Sequence, residues 1–180
     1  MARKVFYSFH YQNDAWRAGQ VRNMNKLEGD EPLSTNAWEE VQRKGDDNIQ
    51  AWIDENMKGK SCLVVLVGEK TYSRKWCKYE IYHAWKEKKG IVCIYVHGLK
   101  NQDGEQSAKG RNPLELFCID TTFNYIVEHQ SPADQNEINL VNVCKAYDTP
   151  YSNSTNVYSY IKDHIEEWVE EAIEIRKKYC

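Results

Sequence analysis

The sequence predicts an α/β protein built on a doubly wound, mainly parallel sheet of about five strands flanked by helices. Three observations carry that expectation. Two apolar runs, Cys62-Leu63-Val64-Val65-Leu66-Val67 ended by Gly68 and Ile91-Val92-Cys93-Ile94-Tyr95-Val96, contain no polar alternation. Runs of that kind suit strands covered on both faces of a parallel sheet. The segment between them, from about Ser73 to Lys89, places Cys77, Ile81, Ala84 and Trp85 on one helical face and reads as the crossover helix. Strand-like and helix-like stretches then alternate along the chain as β-α-β-α-β-α-β, a long loop, and β-α, the rhythm of a flavodoxin-like sheet in the order 2-1-3-4-5.

Val5-Phe6-Tyr7-Ser8-Phe9 has the aromatic and β-branched weight of a short first strand. His10 to Asp14 then lies at its carboxyl end, and a helix is expected from about Asp14 to Lys26, with Trp16 and Val21 among its buried residues. Leu27 to Asn36 is polar and holds Pro32; a very short second strand is expected near Leu33, followed by a loop or helical turn at Ala37-Trp38-Glu39-Glu40. Asp46 to Lys58 is amphipathic, with Ile49, Trp52, Ile53 and Met57 on one side. After the strand, helix and strand already described, the turn-rich stretch 98–113 reads as a surface loop with a functional or mobile role. Leu114 to Tyr125 can hold a short helix, 126–137 is largely loop, and Ile138 to Val143 is expected as an edge strand. A strong helix from about Thr155 to Lys178 closes the chain, with Ile161, Ile165, Trp168, Val169, Ala172 and Ile175 inward and Arg176-Lys177-Lys178 suiting the macrodipole at its end.

The chain has 180 residues, 41% of them hydrophobic and 12% aromatic, enough for one domain with a substantial core. A net charge of −3 gives no support to nucleic-acid binding. No apolar stretch approaches a membrane span, and the start lacks a secretory signal, so a cytoplasmic location is expected. The six cysteines form no C-x-x-C pair and are expected as free thiols in a reducing compartment. The five histidines are also dispersed, so no metal site is expected. There is no G-x-G-x-x-G after the first strand and no G-x-S-x-G, and Gly68-Glu69-Lys70-Thr71 lacks the spacing of a phosphate loop.

Chemistry concentrates where the carboxyl ends of the strands should lie. Trp76-Cys77-Lys78-Tyr79-Glu80 opens the crossover helix and aims Glu80, at the flank of the buried face and half shielded by Trp76 and Tyr79, toward the crevice. Ser8, Phe9 and His10 follow the first strand, and Trp38 and Glu39 follow the second. Together these offer aromatic walls, two carboxylates and polar groups, which suits a flat ring ligand bearing hydroxyls, such as a nucleoside. A glutamate beside ribose can hold hydroxyls and stabilise an oxocarbenium-like transition state. The competing readings are plain ones: a helix-surface glutamate, core tryptophans, and Arg74, Lys75 and Lys78 as solvated charges rather than a phosphate clamp.

These stretches carry a resemblance. Phe6-Tyr7-Ser8-Phe9, the Trp76-Cys77-x-x-Glu80 helix and the α/β order resemble a TIR domain. Val5 to Gln12, Trp38-Glu39, the Val64 to Gly68 strand, Arg74-x-Trp76-x-x-Tyr79-Glu80-Ile81 and Asn112-Pro113 are similar to the TIR-like proteins of bacterial Thoeris anti-phage systems, the ThsB family, over roughly residues 3–115. The resemblance implies a single TIR-like domain over 1–180 that cleaves the nicotinamide–ribose bond of NAD, with NAD as substrate and no cofactor. It places the catalytic glutamate at Glu80, with Ser8, Phe9, His10, Trp38, Glu39 and Trp76 as substrate-binding candidates. It implies a cyclic ADP-ribose-type product that activates the effector ThsA, leaves self-association open, and implies neither a nucleic-acid nor a membrane partner. The residues also admit two other readings: a non-catalytic TIR interaction module, and a nucleoside deoxyribosyltransferase-like enzyme, separated from the first reading by base exchange without NAD turnover.

Overall fold

The computed structural model describes residues 2–29 and 35–179, the side chains of 35–38 excepted. The main sheet contains β1 (Lys4–Ser8), β2 (Glu28–Gly29), β3 (Cys62–Val67), β4 (Gly90–Tyr95) and, after three short strands, β8 (Lys145–Tyr147). Its order is β2-β1-β3-β4-β8 and every neighbouring pair is parallel. This is the α/β flavodoxin-like arrangement that the apolar runs imply. All residues of β3 and β4 are buried, because helices cover both faces. On one face α3 (Asp46–Met57) and α4 (Lys75–Lys86) pack with Phe6, Leu63, Val65, Ile81 and Trp85. On the other, α1 (Tyr11–Arg22) and α5 (Ser154–Lys177) pack with Val5, Val64, Val92 and Ile165. Helix α2 spans Thr35–Arg43.

Several expectations are corrected by these elements. The strand expected near Leu33 falls outside the described residues; β2 lies earlier, at Glu28–Gly29, and Trp38 belongs to a full helix instead of a turn. Helix α1 starts at Tyr11, and its inward stripe is Asp14, Arg17, Ala18 and Val21. Trp16 is therefore on the outer side and is 58% exposed. Helix α4 begins at Lys75, not at Ser73: Thr71 uses its hydroxyl to accept the Gly68 N–H, and Arg74 is still extended at the cap position. Its last turn closes through Lys88 at φ 59°, while Gly90 is already in β4. Gly90 answers a close approach there, since a Cβ would sit 2.8 Å from the backbone nitrogen of Ile173 in α5. Arg176, in the last turn of α5, does more than suit the macrodipole. It is buried, donates to the Trp85 carbonyl at 2.7 Å and stacks 3.9 Å over the Trp85 ring.

The largest difference lies between residues 113 and 147. A 3-10 turn at Pro113–Leu116 leads into a second, antiparallel sheet of β5 (Cys118–Asp120), β6 (Ile126–Val127) and β7 (Glu137–Asn139), in the order β6-β5-β7. The stretch expected as the last strand is split: Ile138 pairs with Ile119 in this small sheet, and Leu140–Asn142 forms another 3-10 turn. The fifth strand of the main sheet is β8, with only Lys145, Ala146 and Tyr147. The 98–113 stretch is tied down. Arg17 donates to the carbonyls of Leu99 and Glu105 at 2.8 and 2.9 Å, and Lys109 lies 4.3 Å over the Tyr95 ring. Cys62, Cys77, Cys93, Cys118 and Cys144 are free and buried. Among the described residues no helix is long and apolar enough to cross a membrane.

Candidate active site

Alternation along β1 turns Phe6 and Ser8 toward the α3–α4 face and Val5 and Tyr7 toward the other. Ser8 therefore ends β1 on the side covered by α4, which presents Cys77, Glu80, Ile81, Ala84 and Trp85 inward. Glu80 is one turn into that helix and is 8% exposed, so it is enclosed more fully than the half-shielded flank position expected from its neighbours. The Ser8 hydroxyl donates to Glu80 Oε2. Burial pushes the Glu80 carboxyl up to about 8, and the Ser8 hydrogen bond opposes this only in part. That shift favours the protonated carboxyl near neutrality. Cys77, one turn before Ile81, is buried beside it, and its thiol is pushed up to about 12, first by burial and then by the Glu80 charge.

The other candidates lie at differing removes from this pair. His10 caps α1; it is half-buried, and its Nδ1 has no hydrogen-bond partner among the described residues. Burial lowers its pKa, and the Arg74 and Lys70 charges add to the effect. Trp76 stands on α4 four residues before Glu80, half-buried and edge-on to Tyr79 at 5.9 Å, with the Lys75 ammonium 4.9 Å over its ring. Phe9 packs on the α1–α5 face and stacks with Tyr11 at 6.1 Å, on the opposite side of the sheet from Glu80. Glu39 is exposed and faces Arg43 at 3.8 Å. The Trp38 side chain lies outside the described residues. The structure therefore joins Ser8 and Glu80, leaves Trp76 one turn earlier on the same helix, and sends Phe9 and Glu39 elsewhere.

Asp14 was not singled out by the sequence. It is fully buried at the same edge, with Oδ1 accepting from Arg17 at 2.9 Å and Oδ2 without a hydrogen-bond partner among the described residues. Burial raises its pKa against the lowering effect of Arg17. A Cβ on Gly68 would lie 2.0 Å from Oδ2, so the glycine that ends β3 is what lets α1 approach. The available signal was the Asp14–Arg17 pair, which shares the helical stripe of Ala18 and Val21. Beyond β3, Glu69, Lys70, Tyr72, Ser73, Arg74, Lys75 and Arg111 line a groove in which the Arg111 guanidinium lies 4.2 Å over Tyr72. Lys75 and Lys78 are paired with Asp46 and Glu128.

A parallel sheet in this order, with a buried glutamate on the helix after the central strand meeting a serine at the end of the first, defines a TIR-like domain. Residues 6–101 match the family described as "Thoeris protein ThsB, TIR-like domain", and the chain belongs to that family. It is similar to the Bacillus cereus (strain MSX-D12) protein named "Putative cyclic ADP-D-ribose synthase ThsB1", with 31% identity over 122 residues. That alignment takes in 65% of this chain and 64% of the relative, so the chain spans somewhat less than two thirds of the protein it matches.

Proposed function

We propose that this protein is a TIR-type NAD-cleaving enzyme that breaks the nicotinamide–ribose bond and closes the remainder into a cyclic ADP-ribose-type signal for the effector ThsA. The observation that carries this reading is the buried Glu80 carboxyl held by Ser8 at the carboxyl edge of a ThsB-family domain. The name of the Bacillus cereus relative supports the same product class. In this reading the whole of 1–180 acts as one domain in the cytoplasm, where NAD is available.

NAD carries a cationic nicotinamide ring next to the bond that breaks. A positive ring beside Glu80 favours the ionised carboxylate, so substrate binding is coupled to loss of the Glu80 proton. As the C1′–N bond breaks, its electron pair leaves with nicotinamide, which becomes neutral, and positive charge develops on the ribose. The Glu80 carboxylate faces that charge in a site of low polarity, where its stabilising effect is largest. A nucleophile on the adenosine half then attacks C1′ and loses a proton, giving the cyclic product; attack by water instead gives ADP-ribose. Ser8 orients the carboxylate, and Trp76 offers a ring face. Phe9 contributes from behind the strand by packing. The groove with Lys70, Arg74 and Arg111 suits the diphosphate, whose charge is complementary to theirs, and His10 offers a neutral ring nitrogen beside it.

Metabolite analysis of cells expressing the protein, before and after phage challenge, tests this reading. The expected result is loss of NAD with release of nicotinamide and a cyclic isomer of ADP-ribose on challenge. Unchanged NAD in challenged cells containing folded protein would leave an interaction module as the better account.

A further inference from the structure

We propose that Cys118, His129 and Glu137 form a binding site for one transition-metal ion of the zinc type, located in the second sheet and separate from the Glu80 site. The dispersion of cysteine and histidine along the chain gave no hint of it. Folding of the small sheet brings the three together: Cys118 opens β5, His129 follows β6, and Glu137 opens β7. One sulfur, one ring nitrogen and one carboxylate oxygen from these residues lie within 4.8 Å of one another. A small adjustment would place all three on one ion at ordinary zinc distances, about 2.0–2.3 Å.

The surroundings already orient each group as a ligand. His129 Nδ1 faces the Ser131 carbonyl at 2.5 Å. A carbonyl only accepts, so Nδ1 carries a hydrogen, and in the neutral ring the lone pair lies on Nε2. Nε2 is directed at Glu137 Oε2, 3.0 Å away. A lone pair and a carboxylate oxygen so placed need a cation between them, either a second ring proton or a metal. The Glu137 side chain is 7% exposed, and its Oε2 also accepts the Ala133 N–H at 2.7 Å, which fixes its direction. Cys118 Sγ lies 3.4 Å from the His129 carbonyl and 3.2 Å from Asn139 Oδ1. One thiol proton cannot serve both acceptors. With the Asn139 amide turned over, its NH2 donates to a thiolate instead. Each ligand would thus have a supporting hydrogen-bond partner, as metal-bound groups usually do.

The mixed sulfur, nitrogen and oxygen set selects against calcium and magnesium, which take oxygen ligands, and suits zinc. A thiolate, a carboxylate and a neutral imidazole balance a divalent ion. Water from the exposed side of His129 completes a tetrahedron. The ion would fasten 128–137 across the sheet. That segment touches α4 through Glu128 with Lys78 at 2.5 Å and the turn before it through Gln130 with the Tyr72 hydroxyl at 3.2 Å, so the metal would brace the helix that carries Glu80.

The test uses the full chain, stripped with a chelator and titrated with Co2+ as a spectroscopic probe, then with Zn2+ against a chromogenic chelator. The expected result is one equivalent bound, a thiolate-to-cobalt charge-transfer band, and a higher thermal midpoint with Zn2+. Cys118→Ser should abolish the band. His129→Gln and Glu137→Gln, checked for folding by circular dichroism, should each weaken Zn2+ binding on the order of a hundredfold. Absence of the band in the wild-type protein, or equal Zn2+ affinity in wild type and folded His129→Gln, would overturn the proposal. Neither result depends on NAD turnover.

Discussion

Glu80 sets the behaviour of the site at the scale of single residues. Its carboxyl is raised to about 8 from an ordinary value of 4.5. Between those values the folded protein holds a proton that the unfolded chain has released, so stability falls as pH rises through that window and levels off above it. Glu80→Gln removes this dependence. Denaturant melts at pH 5 and pH 9 should show the variant gaining on the wild type by a few kcal/mol at the higher pH; parallel curves would show that the carboxyl is not raised. If the protein cleaves NAD as proposed, the same ionisation should appear in kinetics as a rising limb of kcat/KM with an apparent pKa near 8, shifted lower in kcat because bound NAD would favour the carboxylate. Ser8→Ala removes the hydrogen bond that favours the ionised form of Glu80, so it should move that limb upward and lower turnover on the order of tenfold, with the fold retained. An unshifted pH profile would reduce Ser8 to a packing role.

At the scale of elements, the best test is where two backbones cross. Gly90 leaves no room for a Cβ against the Ile173 nitrogen. Gly90→Ala should cost about 1–3 kcal/mol in chemical denaturation, because β4 and α5 cannot separate without opening the core; a neutral substitution would place α5 farther from the sheet. Trp16 and Val21 give the matching contrast on α1. Val21→Ala should cost roughly 1–3 kcal/mol and Trp16→Ala within about 0.5, since one is buried and the other lies outside. The sequence pointed the wrong way at Trp16 because a large ring outweighed Asp14 and Arg17 in choosing the buried stripe. Those two groups are inside because Arg17 pairs with Asp14 Oδ1 and also reaches loop carbonyls, a compensation that a hydrophobic pattern does not register.

At the scale of the whole molecule, β3, α4 and β4 were legible because their apolar patterns are long and belong to a sheet covered on both faces. Their legibility put Glu80 on the helix that follows the central strand, as α4 follows β3. The second sheet was not legible: its strands have two or three residues each, too few to show alternation. Nor was β8, where Lys145-Ala146-Tyr147 gains strand structure from pairing with β4 rather than from its own preference. The Ser8–Glu80 contact joins residues 72 apart in sequence and follows only from the β1–β3–α4 topology. The proposed NAD cleavage requires that contact to act as a reaction centre, and the direct measurement is the yield of nicotinamide and cyclic product from an activated preparation of wild type and Glu80→Gln at matched folded concentration. Turnover should fall on the order of a hundredfold or more in the variant, with NAD binding largely kept. Undiminished cyclic product from folded Glu80→Gln would contradict it.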